Sequence, residues 1–318
     1  MAEKEIVAGI DIGGTNTVIG LVDKIGKVIS ETAISTREYD TFEKYIDFIV
    51  GKIKMLCNTG GYNLRGVGIG APNGNIFRGT IEYAANLEWK GILPIADLLF
   101  RKLNVPVKVT NDANAAALGE KLFGKGKHTD NFIVITLGTG LGSGIVAEGN
   151  LLYGHSGFAG ELGHVPVKEN GRQCGCGKKG CLETYVSATG IVRTVKESLL
   201  NSKKSSLLRN ENVENINSKM IFEYAQKGDA LALEAFDYTA EIFGKALADF
   251  TAVLSPEIIF LFGGLANAGD LLLKPTEKYM NDNLLSVYKN TVKIELSGLK
   301  NGEAAILGSA ALAWQEID

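Results

Sequence analysis

Apolar residues recur along this chain with two different periods, and the switch between them lays out its elements. EIVAGIDI, at 5–12, reads as a strand that ends in the glycine turn GGTN. TVIGLVDK follows as a second strand, and KVISETAIS as a third beyond the Ile25-Gly26 turn. A comparable unit returns at NFIVITLG, TGLG and SGIVAEGNLLYG, so strand, glycine turn and strand occur twice and suggest an internal duplication. Between the two units, helical spacing predicts an amphipathic helix over 41–58. A buried-type strand LRGVGIGAP, a loop through NLEWKG and a short helix PIADLLFRKL come next, and then a strand PVKVTND that runs into the helix ANAAALGEKLFG. Further helices are expected near 188–200, 218–226 and 230–252, then a strand EIIFLFGG and a final helix near 304–315. The polar stretch 201–217 reads as a loop or mobile insertion. The alternation is α/β, and its duplicated opening predicts two related α/β domains with a nucleotide between them.

Composition narrows the field. With 318 residues, two domains or one large divided domain are expected. Apolar residues at 45%, charged residues at 22% and a net charge of −3 describe an ordinary globular protein, with no electrostatic reason to expect nucleic acid. MAEKEIVAGIDIGG passes straight into a strand without the regions of a signal peptide, and no apolar run approaches a membrane span. The expected location is therefore the cytoplasm, where thiols stay reduced. Thirty-nine glycines exceed the usual share of about 7%, and they cluster in loops.

Neither glycine loop opens a helix, as a Rossmann fingerprint or a Walker A loop must, so a dinucleotide site is disfavoured. Asp11 precedes Gly13, Gly14, Thr15 and Asn16, which sets a carboxylate beside backbone that a phosphate can approach, with magnesium as the natural bridge. An aspartate satisfying its own turn is the alternative. The second loop, Gly138, Thr139, Gly140 and Gly142, favours phosphate, since two loops can grip one polyphosphate. Gly263 and Gly264 follow EIIFLF and suit either an adenosine contact or a plain strand-ending turn. Asn111 and Asp112 stand where a strand gives way to a helix. Asp112 is the candidate general base, and a helix cap is its competing role.

One cluster is more specific. His164, Cys174, Cys176 and Cys181 offer an imidazole and three thiols at a spacing that suits tetrahedral zinc, and a Cys3His set leaves no open position, which makes the role structural. A Cys-x-Cys disulfide would be strained and would leave one thiol over. Glu161 and Glu183 flank these ligands and suit the hydroxyls of a sugar, with solvated surface glutamates as the alternative. Asn86, ahead of Trp89, could reach a ligand. His128 and His155 read as ordinary surface residues, and Trp89 as core.

These residues together resemble the ROK family of sugar kinases and repressors, within the actin-like, sugar kinase and Hsp70 ATPase superfamily. DIGGTN at 11–16 and LGTGLGSG at 137–144 are similar to its two phosphate motifs, and FGG at 262–264 to its adenosine motif. GELGH at 160–164 and CGCGKKGCLE at 174–183 are similar to its signature and zinc site. The resemblance implies two actin-like (RNase H-like) ATPase domains flanking a cleft, with a small zinc-binding loop. One domain would comprise 1–120 plus 303–318 and the other 121–302. It implies ATP, Mg²⁺ and a structural Zn²⁺, closure over the substrates, and a homodimer. It also implies Asp112 as catalytic base, with Asn86, Asn111, Glu161, His164 and Glu183 contacting a hexose and His164 serving both sugar and zinc. The set is most similar to the family's glucokinases, so phosphorylation of the glucose 6-hydroxyl is expected. N-acetylmannosamine and N-acetylglucosamine kinases carry much the same motifs, and Asn73 in GAPNGN bears on the sugar preferred. The family's repressors set a winged helix-turn-helix ahead of the first glycine motif; ten residues precede Asp11 here, so the enzyme is expected.

Overall fold

The computed structural model describes residues 4–300 and 303–317. The chain divides into two compact units, Met1–Asp130 with Gly144–Gly160 and Ser297–Asp318, and Asn131–Ser143 with Glu161–Leu296. The fold is α/β, with sheets that mix parallel and antiparallel pairing.

In the first unit, β1 (Lys4–Ile12), β2 (Asn16–Val22) and β3 (Val28–Ser35) form an antiparallel meander. Helix α1 (Phe42–Gly60) then leads to β4 (Tyr62–Gly70), which lies parallel to β1. Thr41 caps α1 by accepting from the Lys44 amide, and Gly61 ends it at φ 62°. Tyr45, Ile46, Ile49 and Ile53 recur at helical spacing and are fully buried against the sheet. A small sheet of β5 (Gly74–Asn75), β6 (Thr80–Glu82) and β7 (Ile92–Leu93) precedes α2 (Ile95–Leu103), β8 (Val107–Thr110) and α3 (Asp112–Phe123). The main sheet runs β3-β2-β1-β4-β8. Ile6, Ile10, Val67 and Ile69 share one face of its centre and are fully buried in a cluster with the apolar residues of α1, while the opposite face carries Gly9 and Gly68. The C-terminal helix Ala304–Ile317 packs along β1, β4 and α3. That packing is close enough that a Cβ added to Gly68 would stand 1.8 Å from the Ser309 carbonyl oxygen.

In the second unit, β9 (Phe132–Leu137) neighbours β10 (Leu141–Ala147), whose last residues return to the first unit and pair antiparallel with β11 (Asn150–Leu151). Helices α4 (Ala188–Asn201), α5 (Ser218–Gln226) and α6 (Ala230–Leu254) follow, then β12 (Ile258–Phe262), α7 (Asp270–Asn283) and β13 (Lys293–Leu296). β12 lies parallel to both β9 and β13. The stretch 201–217 carries two short 3-10 turns, Leu207–Asn210 and Val213–Asn215, and Leu208 within it is fully buried. α7, β13 and the small β5–β7 sheet are elements that hydrophobic periodicity did not indicate. In α7 the reason is Pro275, inside the helix, within the polar run KPTEKYMNDN. Among the described residues, no helix is long and apolar enough to cross a membrane.

Candidate active site and metal centre

Strand register builds the first unit's part of the site. Asp11 pairs with Gly70, and Gly70 with Thr110, so the carboxyl ends of β1, β4 and β8 stand side by side. Strands lie about 4.8 Å apart, which puts Asp11 about 10 Å from the backbone that leads into Asn111 and Asp112. Such strand ends are where open α/β sheets bind ligands. Burial, and then the charge of Asp112, push the Asp11 carboxyl up to about 6. Asp112 opens α3; its side chain keeps contact with water, but the protein packed around it still pushes its carboxyl upward. Its Oδ1 accepts from the Ala113 amide at 2.9 Å. The capping role falls to Asn111, whose Oδ1 accepts from the Asn114 amide at 2.9 Å; the cap uses that oxygen and not the amino group.

The loop after β1 is tied at each residue. The Gly13 amide donates to the Asn16 carbonyl at 2.9 Å, Thr15 O accepts from the Thr36 amide at 2.8 Å, and Gly14 O accepts from Arg37 Nε at 2.9 Å. Thr15 and Asn16 are exposed. A Cβ on Gly14 would lie 2.7 Å from the Asn86 carbonyl oxygen, so the structure brings Asn86 directly to this loop. Trp89 seats the Asn86 segment by packing its ring 5.3 Å from Phe42 and 4.7 Å from Tyr45. It is partly buried against the main core.

The second unit's loop rests on a helix N-terminus. The Gly138 amide donates to Gly140 O at 3.0 Å, while Ala188 N and Thr189 Oγ1 donate to Gly138 O and Thr139 O at 2.9 and 2.7 Å. Ser187 caps α4 by accepting from the Gly190 amide. Gly142 lies within β10. Gly263, at φ 105°, turns the chain so that the Leu265 amide donates to Leu137 O at 3.1 Å, which places Gly263 and Gly264 beside the end of β9. A pocket of about 480 Å³ opens at Gly264, lined by Phe222, Gln226, Phe236, Leu265 and Asn267 among others.

The cysteines and His164 converge within this same unit. The donor atoms of His164, Cys174, Cys176 and Cys181 all lie within 4.8 Å of one another, and the cysteines are free thiols. Zinc bonds of about 2.3 Å to sulfur and about 2.0 Å to nitrogen set tetrahedral donors roughly 3.5–3.8 Å apart. Cys176 Sγ lies 3.7 Å from Cys181 Sγ, and Cys174 Sγ 3.6 Å from His164 Nδ1, so the donor set fits one zinc ion. Nδ1 is the imidazole nitrogen directed to the thiols. Nε2 lies 3.9 Å from Glu161 Oε2. Glu183 spans two features: Oε1 is 3.0 Å from Cys174 Sγ and 3.7 Å from His164 Nδ1, while Oε2 is 3.4 Å from the Leu141 amide and would lie 2.6 Å from a Cβ on Gly140.

Arg172 was not among the sequence candidates. Read from the sequence, it is one more basic residue in a loop, and no motif signals its burial. Its side chain is 7% exposed and spends its donors on Glu197, Thr184 O, Gly190 O and Thr194 Oγ1, with its guanidinium 4.5 Å over the Tyr185 ring.

Known proteins resemble this chain over nearly its whole length. A glucokinase of Halalkalibacterium halodurans is 37% identical over 97% of this chain and 94% of its own. The crystal structure of a ROK family glucokinase from Streptomyces griseus in complex with glucose and AMPPNP superposes with a TM-score of 0.81 at 35% identity, covering 98% of this chain and 99% of that one. A xylose repressor of Caldicellulosiruptor bescii is 31% identical over 98% of this chain and 78% of its own. Residues 7–316 match the ROK family, and with motifs, zinc-type cluster and overall fold in agreement, the chain is a member of that family and resembles its sugar kinases.

Proposed function

We propose that this protein is an ATP-dependent glucokinase that transfers the γ-phosphoryl group to the 6-hydroxyl of glucose. The observation that carries the reading is Asp112: a solvent-accessible carboxylate at the start of α3, relieved of capping by Asn111, with its proton affinity raised by the protein around it. Asp112 accepts the proton of the attacking hydroxyl, a role that contributes on the order of 10²–10⁴ in rate. Asn111, Glu161, His164 and Glu183 hold the sugar hydroxyls, with Asn86 at the first loop. Asp11 orients the magnesium ion, Gly13, Gly14, Thr15 and Asn16 and the loop Gly138, Thr139 and Gly140 take the phosphates, and Gly263 and Gly264 take the adenosine. Phosphoryl transfer asks little more of a protein than that base, oriented phosphates and charge neutralisation. Zinc supplies a fixed tetrahedral cross-link that holds the Glu161 and Glu183 segments. The reading includes the two actin-like domains that the family resemblance implies, a homodimeric state and a cytoplasmic location. Support comes from the relatives, since a glucokinase is 37% identical over nearly the whole chain.

The test is a coupled ADP-release assay over a panel of hexoses and N-acetylhexosamines. Glucose is expected to rank first; N-acetylmannosamine or N-acetylglucosamine at the top would reassign the substrate within the family. No turnover with any sugar would remove the kinase reading.

A further inference from the structure

We infer that Arg172 is a positioning residue that joins the metal loop to the second glycine loop, so that zinc occupancy and nucleotide binding are energetically coupled. The inference rests on the reading of both sites given above. Every contact involved lies within the second unit. Arg172 sits two residues before Cys174, and its own amide donates to the Tyr185 hydroxyl at 2.9 Å. Its guanidinium forms a paired contact with Glu197 on α4, Nε at 3.0 Å and Nη2 at 2.6 Å, and reaches Thr194 Oγ1 at 3.0 Å and Gly190 O at 3.1 Å on the same helix. It also donates to Thr184 O at 2.7 Å, next to Glu183. The same α4 holds the glycine loop from below through Ala188 and Thr189, and Ser187 Oγ donates to Glu183 O at 2.6 Å. Glu183 closes the circuit, with one oxygen at Cys174 and the other at Leu141.

A planar guanidinium held this way has little freedom to rearrange, so α4 cannot shift relative to Cys174 without breaking several charge-assisted bonds. Loss of the ion releases Cys174 and loosens the N-terminal turn of α4 on which Gly138 and Thr139 rest. Coupling of this kind is reciprocal: if zinc tightens nucleotide binding by some factor, nucleotide tightens zinc by the same factor.

The experiment measures both directions on the full chain. Binding of Mg²⁺-AMPPNP without sugar is followed by calorimetry in zinc-loaded and zinc-stripped protein, and zinc transfer to a chromogenic chelator is followed with and without the nucleotide. Zinc-stripped wild type is expected to bind nucleotide about tenfold more weakly, and nucleotide to raise zinc affinity by the same factor. In Arg172→Lys, zinc should still bind while the coupling falls toward unity, since an ammonium cannot reproduce the paired and stacked contacts. Equal zinc affinity with and without nucleotide in the wild type would overturn the proposal, and so would full coupling retained in Arg172→Lys. Failure of the underlying reading looks different, because zinc-loaded wild type would then bind no nucleotide or the purified chain would carry no zinc.

Discussion

Asp11 offers a test in which stability and function move in opposite directions. Burial and the neighbouring Asp112 charge shift its carboxyl from an ordinary 3.8 to about 6. Below pH 3.8 the group is protonated whether the chain is folded or unfolded, and well above 6 it is ionised in both states. Between those limits the folded chain keeps a proton that the unfolded chain has released. Asp11 therefore lowers stability progressively as pH rises from about 4 to about 6, and the full cost persists above that. At about 1.4 kcal/mol per pH unit the cost reaches roughly 3 kcal/mol, an upper figure because the side chain keeps partial contact with water. Asp11→Asn cannot ionise and is expected to be more stable than the wild type by up to about 3 kcal/mol at about pH 8, and by about half as much at about pH 5. Across a 318-residue chain the gain at the higher pH corresponds to a rise in Tm of about 4 °C. Urea unfolding of ligand-free, zinc-loaded protein at the two pH values measures the difference. An advantage of equal size at both, or none at the higher pH, would refute the reasoning. The same variant should lose sugar-dependent ATP turnover, as expected if a carboxylate is retained at this position against its effect on stability.

Three other outcomes are expected. Asp112→Asn should keep sugar affinity, read by calorimetry, while kcat falls by about two or more decades; near-normal turnover would leave Asp112 without a chemical role. Metal analysis should find one zinc per chain, and Cys176→Ser should lose it together with sugar affinity, because structural zinc contributes roughly 10–16 kcal/mol of apparent binding energy at such sites; full activity in zinc-free protein would contradict this. Gly68→Ala places its Cβ 1.8 Å from the Ser309 carbonyl oxygen and should cost about 3 kcal/mol or more, whereas Gly51→Ala, in α1 with nothing within 4 Å, should gain up to about 1 kcal/mol; chemical denaturation compares the two.

Much of this protein was legible without coordinates, for reasons that are local. A strand such as EIVAGIDI declares itself by an apolar run ending in glycine, and the duplicated strand, turn and strand predicted the two hairpins β1–β2 and β9–β10. The Cys3His set was readable because three cysteines crowded into eight residues do not fit the scattered placement of core thiols, and the structure brings their donor atoms together. Less visible was α7, where Pro275 and a polar surface obscure the helical period. Burial of Leu272, Thr276 and Met280 on one face, with α6 packed along the helix, settles its formation, and that burial depends on residues distant in sequence.

The local sequence determined the strands, their glycine turns, the metal donors and the carboxylates that could serve chemistry, since each depends on residues a few positions apart. Tertiary structure decided how they are used. Register across β1, β4 and β8 aligned Asp11 with the approach to Asp112, and close packing on Gly14 brought Asn86 to the first loop. Burial of a single loop arginine, Arg172, tied the metal loop to α4. Distances between segments far apart in sequence, and the water excluded where they meet, set these geometries and the raised proton affinity of Asp11. Neither quantity is encoded in any short stretch of the chain.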